Sequence, residues 1–211
     1  MQRAKHVIDR LVEAPATSAH PAHPAHTPAK PAVMRPAEPS VGGVITPEFL
    51  SYIRGVENQQ KVGWDKTRKL WFPHKDPSGG FNIGYGHHFQ SDEDYQRYKV
   101  HGLSNDGVEK LLVQDILAAR KVIHQYIQRR YKVNLQLTPK QEQMLIDYVF
   151  NSGGLDKFPK MVDAVLRSDN EKMHKEYKRF ATIGGQQREL AGRNQQFVAN
   201  FMREELSHED S

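Results

Sequence analysis

The chain has 211 residues, 37% of them apolar, and its 30 Lys and Arg exceed its 25 Asp and Glu to leave a net charge of +5. That is enough apolar material for one domain of ordinary size with an appendage. There is no cysteine, which excludes a disulfide framework and a thiolate metal site, and no apolar run approaches the length of a membrane span, which excludes membrane insertion.

The N-terminus lacks the continuous apolar core of a signal peptide, so a soluble chain is expected, one that reaches an extracellular target only with another carrier. The positive charge favours a polyanionic partner such as nucleic acid, an anionic membrane face or an acidic cell wall. Keeping the protein soluble is the plain alternative.

Residues 3–13, "RAKHVIDRLVE", place Val7, Ile8, Leu11 and Val12 on one side of a short amphipathic helix. Such a helix is too short to be stable alone in water, so residues 1–13 are expected to dock on something as an anchor. Residues 14–43 are a Pro/Ala/His-rich linker whose composition cannot form a core and favours an extended polyproline II tether. With about three residues per turn, His20, His23 and His26 would line one face of it. A spacer fits that composition, with a weak metal or proton sensor as the other reading.

The texture changes at residue 44, and residues 44–206 are expected to form the folded domain, leaving 207–211 as a tail. Thr46 and Pro47 are N-cap and first-turn residues for a helix that carries Phe49, Leu50, Ile53 and Val56 as one apolar stripe. "KLWFPHKD" and "GGFNIGYGHHF" are aromatic and β-branched, and "DPSGG" between them is turn chemistry. They predict a small antiparallel sheet. Everything beyond is expected to be helical. Ser104 caps a long helix with Val108, Leu111, Leu112, Ile116 and Ala119 at helical spacing. Thr138, Pro139 and Gln141 form a capping box ahead of "EQMLIDYVF", which Gly153 and Gly154 stop. Further helices are predicted near 159–168, 170–180 and 187–206. The fold class is α+β, a small sheet lobe and a helical lobe joined by a long helix, and such a layout creates a cleft.

The stretch "GGFNIGYGHHF" has glycines inside a strand. Gly84 and Gly86 do not make a dinucleotide fingerprint, because no third Gly opens a helix. His87 and His88 are adjacent in a strand and point to opposite faces, so they cannot share one metal. No zinc-type spacing occurs, and neither metal nor cofactor is expected. A bare strand beside a cleft can admit a long polymer against its backbone. Glu57 ends an apolar-faced helix, where the negative end of the helix dipole and partial burial both disfavour ionisation. Asp76 lies in a polar turn, where it stays ionised. Two carboxyls in unlike environments are the minimum for glycosidic cleavage by acid and base. An ordinary helix-terminal Glu and an ordinary turn Asp fit the same positions.

Five segments, "FLSYIRGVE", "HKDPSGGFNIGYGHHF", "LSNDGVEKLLVQDILAA", "YVFNSGG" and, less closely, "LAGRNQQF", give the chain from Phe49 to about Phe201 a resemblance to the phage-type lysozymes of glycoside hydrolase family 24. The second segment is the most specific, since that family has an Asp followed at fixed distance by a Thr-Ile-Gly-x-Gly-His run. The resemblance implies a lysozyme-like fold and a muramidase acting on bacterial peptidoglycan. It implies that Glu57 protonates the leaving oxygen, that Asp76 activates a water with inversion, and that Asn82 stands where the family has Thr. His87 and Asp115 would be a structural pair joining sheet to long helix. Gly84, Tyr85, His88, Phe150 and Asn151 would contact substrate, with Gly153 on the same floor, and Arg193 approximates a family arginine near the site.

Two departures stand out. Eighteen residues lie between Glu57 and Asp76, more than the family has, and the surplus falls in "NQQKVGWDKT", expected to be an inserted loop over 58–67. Asp65 is a rival for the second carboxylate but loses the second spacing, because Trp71 would take the place of the Thr. Asn82 is the other departure. Its amide can both donate and accept, as a hydroxyl can, but from a different position.

The anchor and spacer suggest a muramidase carried in a phage virion, bound to virion proteins through residues 1–43, that opens the wall during genome entry. A cytoplasmic endolysin, a lytic transglycosylase using Glu57 alone, and a structural virion protein that keeps the fold without catalysis are the alternatives. The basic residues are scattered with no stacking platform, so no nucleic acid is expected as partner.

Overall fold

A computed structural model describes residues 43–76 and 79–203. The expected anchor helix, the histidines of the linker and the tail lie outside the described residues.

The first helix, α1 (Pro47–Asn58), starts where Thr46 Oγ1 accepts a hydrogen bond from Phe49 N at 3.2 Å, with Pro47 in the first turn. It buries Phe49, Tyr52 and Ile53, and the Phe49 and Tyr52 rings meet Phe201 from the C-terminal end of the domain. Its last residue, Asn58, is a three-way tie. Asn58 Nδ2 donates to Val62 O at 3.0 Å and to Gly84 O at 2.8 Å, and Asn58 Oδ1 accepts from Val62 N at 2.9 Å. One buried amide thus joins the helix end, the segment after it and the sheet.

The expected single sheet is two three-stranded ones. Strands β1 (Trp64–Asp65), β2 (Leu70–Trp71) and β6 (Leu103–Ser104) form one, in the order β1-β2-β6; β3 (His74–Lys75), β4 (Phe81–Ile83) and β5 (His87–His88) form the other, all antiparallel. The segment 58–67, expected as a loop, therefore contributes a strand. Trp64 stands opposite Trp71 with ring centroids 5.3 Å apart, and such cross-strand aromatic pairs hold short ribbons together. Asp65, the rival carboxylate, closes the β1–β2 turn by accepting from Thr67 N at 2.8 Å and Arg68 N at 3.0 Å. Helix α2 (Asp92–His101) follows, capped by Ser91 and stopped by Gly102.

The helical lobe is built round α3 (Asn105–Tyr131) and α4 (Pro139–Ser152). Ser104 caps α3 as expected, and its 27 residues make a rod of about 40 Å. Val108, Leu112, Ile116, Ala119, Ile123 and Ile127 are its buried stripe. The capping box of α4 is present with both arms, Thr138 with Gln141, and Gly153 ends the helix in the left-handed region. Residues 144–149 of α4 are all buried, which makes it the central helix of the lobe. The Arg120–Glu142 pair, 2.6 Å and buried, locks α3 to α4.

Past α5 (Pro159–Arg167) and α6 (Asn170–Glu176) the expected helices give way. A hairpin of β7 (Phe180–Ile183) and β8 (Gln186–Glu189) occupies part of both predicted spans, and α7 (Ala191–Phe197) starts only after it, running into one π-helical turn, Val198–Met202. The physical reason is the Gly184-Gly185 pair, with φ of 58° and 77°. Two consecutive left-handed residues between extended segments make the tight turn of a hairpin, which a helix cannot contain.

Gly84 sits at φ 64°, and a Cβ there would come within 2.3 Å of Val108 Cγ1 on α3. A valine in a helix has one strongly preferred rotamer and cannot swing away. Gly84→Ala is therefore expected to lower the unfolding free energy by about 1–3 kcal/mol, read as a fall in the urea midpoint at unchanged slope.

Candidate active site

Three elements deliver the carboxyl and amide groups of the site. Glu57 comes from the last turn of α1, Asp76 from the end of β3, and Asn82 from the middle of β4. In the antiparallel register His74 faces Asn82 and Asn82 faces His88. Residues directly opposite share a sheet face, so His74, Asn82 and His88 all project into one cleft, and Ile83 and His87 go to the other face. The cleft has a volume of about 880 Å³ and is closed on the helical side by Ala118 and Val122 of α3 and by residues 149–153.

Glu57 is largely buried, its side chain 15% exposed. The two carboxyl oxygens have different surroundings. Oε1 accepts from Arg193 Nη2 at 2.7 Å. Oε2 is the atom nearest to where a Cβ on Gly86 would stand, at 3.7 Å, and Gly86 lines the cleft. Burial pushes the Glu57 carboxyl up from the ordinary glutamate value; Arg193 pulls the other way, and the nearby Asp147 carboxylate adds to the rise. Arg193 stays charged. Burial works against it, but the carboxylates of Asp147 and Glu57 outweigh that and raise its pKa.

Asn82 is 6% exposed. Its Nδ2 donates to Asp76 Oδ2 at 3.0 Å, which fixes the amide's orientation, and its Oδ1 is a buried acceptor with no partner among the described residues. Behind the strand, His87 Nδ1 donates to both oxygens of Asp115, at 3.0 and 3.1 Å, joining β5 to α3. Asp115 itself also lines the cleft.

The structure thus brings Glu57, Asp76, Asn82, Tyr85, His88, Phe150 and Asn151 to one cleft. Tyr85 lines it as a buried residue, 7% exposed, with its ring packed on Trp71. Two expected contact residues lie elsewhere. Gly84 does not line the cleft: it faces α3, where Val108 fills the space a side chain would take. Arg193 lies behind Glu57 and lines a second, smaller cavity of about 370 Å³, which Glu57 also borders.

Sequence reasoning missed what stands behind Arg193. Arg193 Nη2 also donates to Asp147 Oδ1 at 2.7 Å and to Asp147 O at 3.1 Å, and Asp147 Oδ2 accepts from Arg179 Nη1. Asp147 and Arg179 are both 0% exposed. The available signal was a carboxylate inside the apolar run "MLIDYVF", a position that only a paired charge occupies. Asn58 gave no comparable signal.

Residues 72–196, more than half of the chain, match the family model described as phage lysozyme. The match starts beyond Glu57 and the inserted segment and takes in Asp76, Asn82, Asp115 and Arg193. No curated protein matches the chain.

The His87–Asp115 contact is tested by a double-mutant cycle. His87→Ala and Asp115→Ala are each expected to destabilise, and the double variant by less than the sum, with a coupling of roughly 1–2 kcal/mol in urea unfolding.

Proposed function

Because the chain belongs to the phage lysozyme family, a family of peptidoglycan-cleaving glycoside hydrolases, we propose that it is a family-24-type muramidase that hydrolyses the β-1,4 bond between N-acetylmuramic acid and N-acetylglucosamine. The observation that carries this reading is the unequal pair of carboxyl environments in one cleft. Glu57 is buried with its ionisation disfavoured, and Asp76 is partly exposed and held by the Asn82 amide.

The chemistry follows from which atoms are already engaged. Arg193 occupies Glu57 Oε1, so the proton of the neutral acid belongs on Oε2, beside Gly86 and the cleft. Oε2–H gives that proton to the glycosidic oxygen as the bond from the anomeric carbon breaks. A water held by Asp76 attacks that carbon, and Asp76 accepts the proton the water gives up. The anomeric configuration inverts, because the nucleophile is water and not the carboxylate. Asn82, standing where the family has Thr, takes part by donating to Asp76 and so orienting the carboxylate that holds the water.

The composition of residues 14–43 supports carriage in a virion, with an anchor and spacer that let the domain reach the wall while docked on a particle. Mass spectrometry of purified particles tests that placement. Recovery of the chain only from the lysate supernatant would make it a cytoplasmic endolysin.

Digestion of purified peptidoglycan is expected to release reducing muropeptides from the wild type, with a loss on the order of 10²–10⁴-fold for Glu57→Gln and a comparable collapse for Asp76→Asn. Anhydro products surviving in Asp76→Asn would mean a transglycosylase, and no release from folded wild type would mean a lysozyme fold in structural use. The rate is also expected to fall as pH rises through the elevated Glu57 pKa, since only the protonated acid donates. An alkaline limb at the ordinary glutamate value would contradict the assignment of Glu57.

A further inference from the structure

Glu57 meets an arginine, and an arginine beside a carboxyl ordinarily stabilises the anion. A general acid needs the opposite. The arrangement behind Arg193 resolves the conflict. Asp147, wholly buried on α4, accepts from Arg179 on one oxygen and from Arg193 on the other. Arg179 is itself wholly buried, lies over the faces of Tyr148 and Phe197 at 4.5 and 5.0 Å, and is bracketed by Asn194, which accepts from its backbone N–H and donates to its carbonyl. A structural ion pair is complete with those two residues. The second arginine adds nothing to that pair's neutrality, yet it reaches from Asp147 to the acid.

A single nitrogen makes the link. Arg193 Nη2 faces Glu57 Oε1 at 2.7 Å, Asp147 Oδ1 at 2.7 Å and Asp147 O at 3.1 Å. It carries two hydrogens for three acceptors. Whatever Asp147 takes of that nitrogen, Glu57 does not have.

We propose that Asp147 is a positioning residue for the acid: anchored by Arg179, it holds Arg193 by the nitrogen that touches Glu57, and so keeps the arginine as an orienting donor to Oε1 without letting it become a full counter-ion.

The proposal rests on the reading of Glu57 as the acid. It is stated in charges. With neutral Glu57 the buried group contains two cations and one anion. Removing the anion leaves Arg193 uncompensated beside Glu57, and removing Arg179 leaves Arg193 more fully neutralised. The other charged groups near Glu57 come from the cleft side: His74, Lys75 and Asp76 from β3 and its end, His88 from β5, Asp115 from α3 and Lys157 beyond α4. On α1 itself, Arg54 is turned away to Glu109, with Nη2 to Oε2 at 2.9 Å. None of these touches Arg193 among the contacts that hold it.

The experiment is an NMR titration of the Glu57 side-chain carboxyl carbon in the full chain, wild type against Asp147→Asn, Arg179→Gln and the double variant Asp147→Asn/Arg179→Met. The expected result is a downward shift of the Glu57 midpoint by about one pH unit or more in Asp147→Asn, an upward shift in Arg179→Gln, and a smaller downward shift in the double variant. The double variant removes the buried pair as a unit, so it guards against misfolding caused by one orphaned charge. An unchanged or upward-shifted midpoint in folded Asp147→Asn, or in the double variant should the single one not fold, overturns the proposal. The titration needs no turnover. If the wild type released no muropeptides, the muramidase reading would fail while the midpoints still decided whether Asp147 governs Glu57.

Discussion

The site turns on one buried contact, in which ionisation of the Glu57 carboxyl is disfavoured although it lies next to an arginine. Burial raises the Glu57 pKa and Arg193 opposes it, with Asp147 adding its negative charge on the side of the rise. The balance depends on geometry more than on the number of charges. Arg193 occupies one oxygen of Glu57 and leaves the other at the cleft beside Gly86. A glycine there leaves open the space beside that oxygen, which a side chain would occupy.

Glu57 is held in position by its neighbour. Asn58 ends α1 and spends its amide on Val62 and on the carbonyl of Gly84, so the turn of helix that carries Glu57 is tied to the sheet that carries Asp76 and Asn82. The long segment between the two carboxylates is folded back as a strand on β2, with Trp64 against Trp71, at the edge of the sheet lobe. His87 and Asp115 then fix that lobe to α3, and Gly84 lets the strand and the helix approach closely.

Much of this was legible because local rules were obeyed. Thr46, Ser104 and the Thr138 capping box mark true helix starts, since capping involves residues only a few positions apart. The alternation of His87 and His88 between two faces was also readable, because a strand's period of two is local. The helices expected near 170–180 and 187–206 stopped short of Gly184-Gly185 but ran into both strands of the hairpin, because the helical texture on either side of the turn outweighs so short a pair of strands. Gly84 was assigned to the substrate for want of knowing what it faced, and it faces Val108.

The sequence by itself determined the α+β class and the helix starts, because each is written in residue type and short spacing. Only the tertiary structure decided that Glu57, Asp76 and Asn82 meet in one cleft, which oxygen of Glu57 Arg193 occupies, that Asn82 donates to Asp76, and that a buried Arg179–Asp147–Arg193 chain stands behind Glu57. Those contacts join residues far apart in the chain, and a lone Asp or Arg in an apolar run does not say which distant partner makes its burial tolerable.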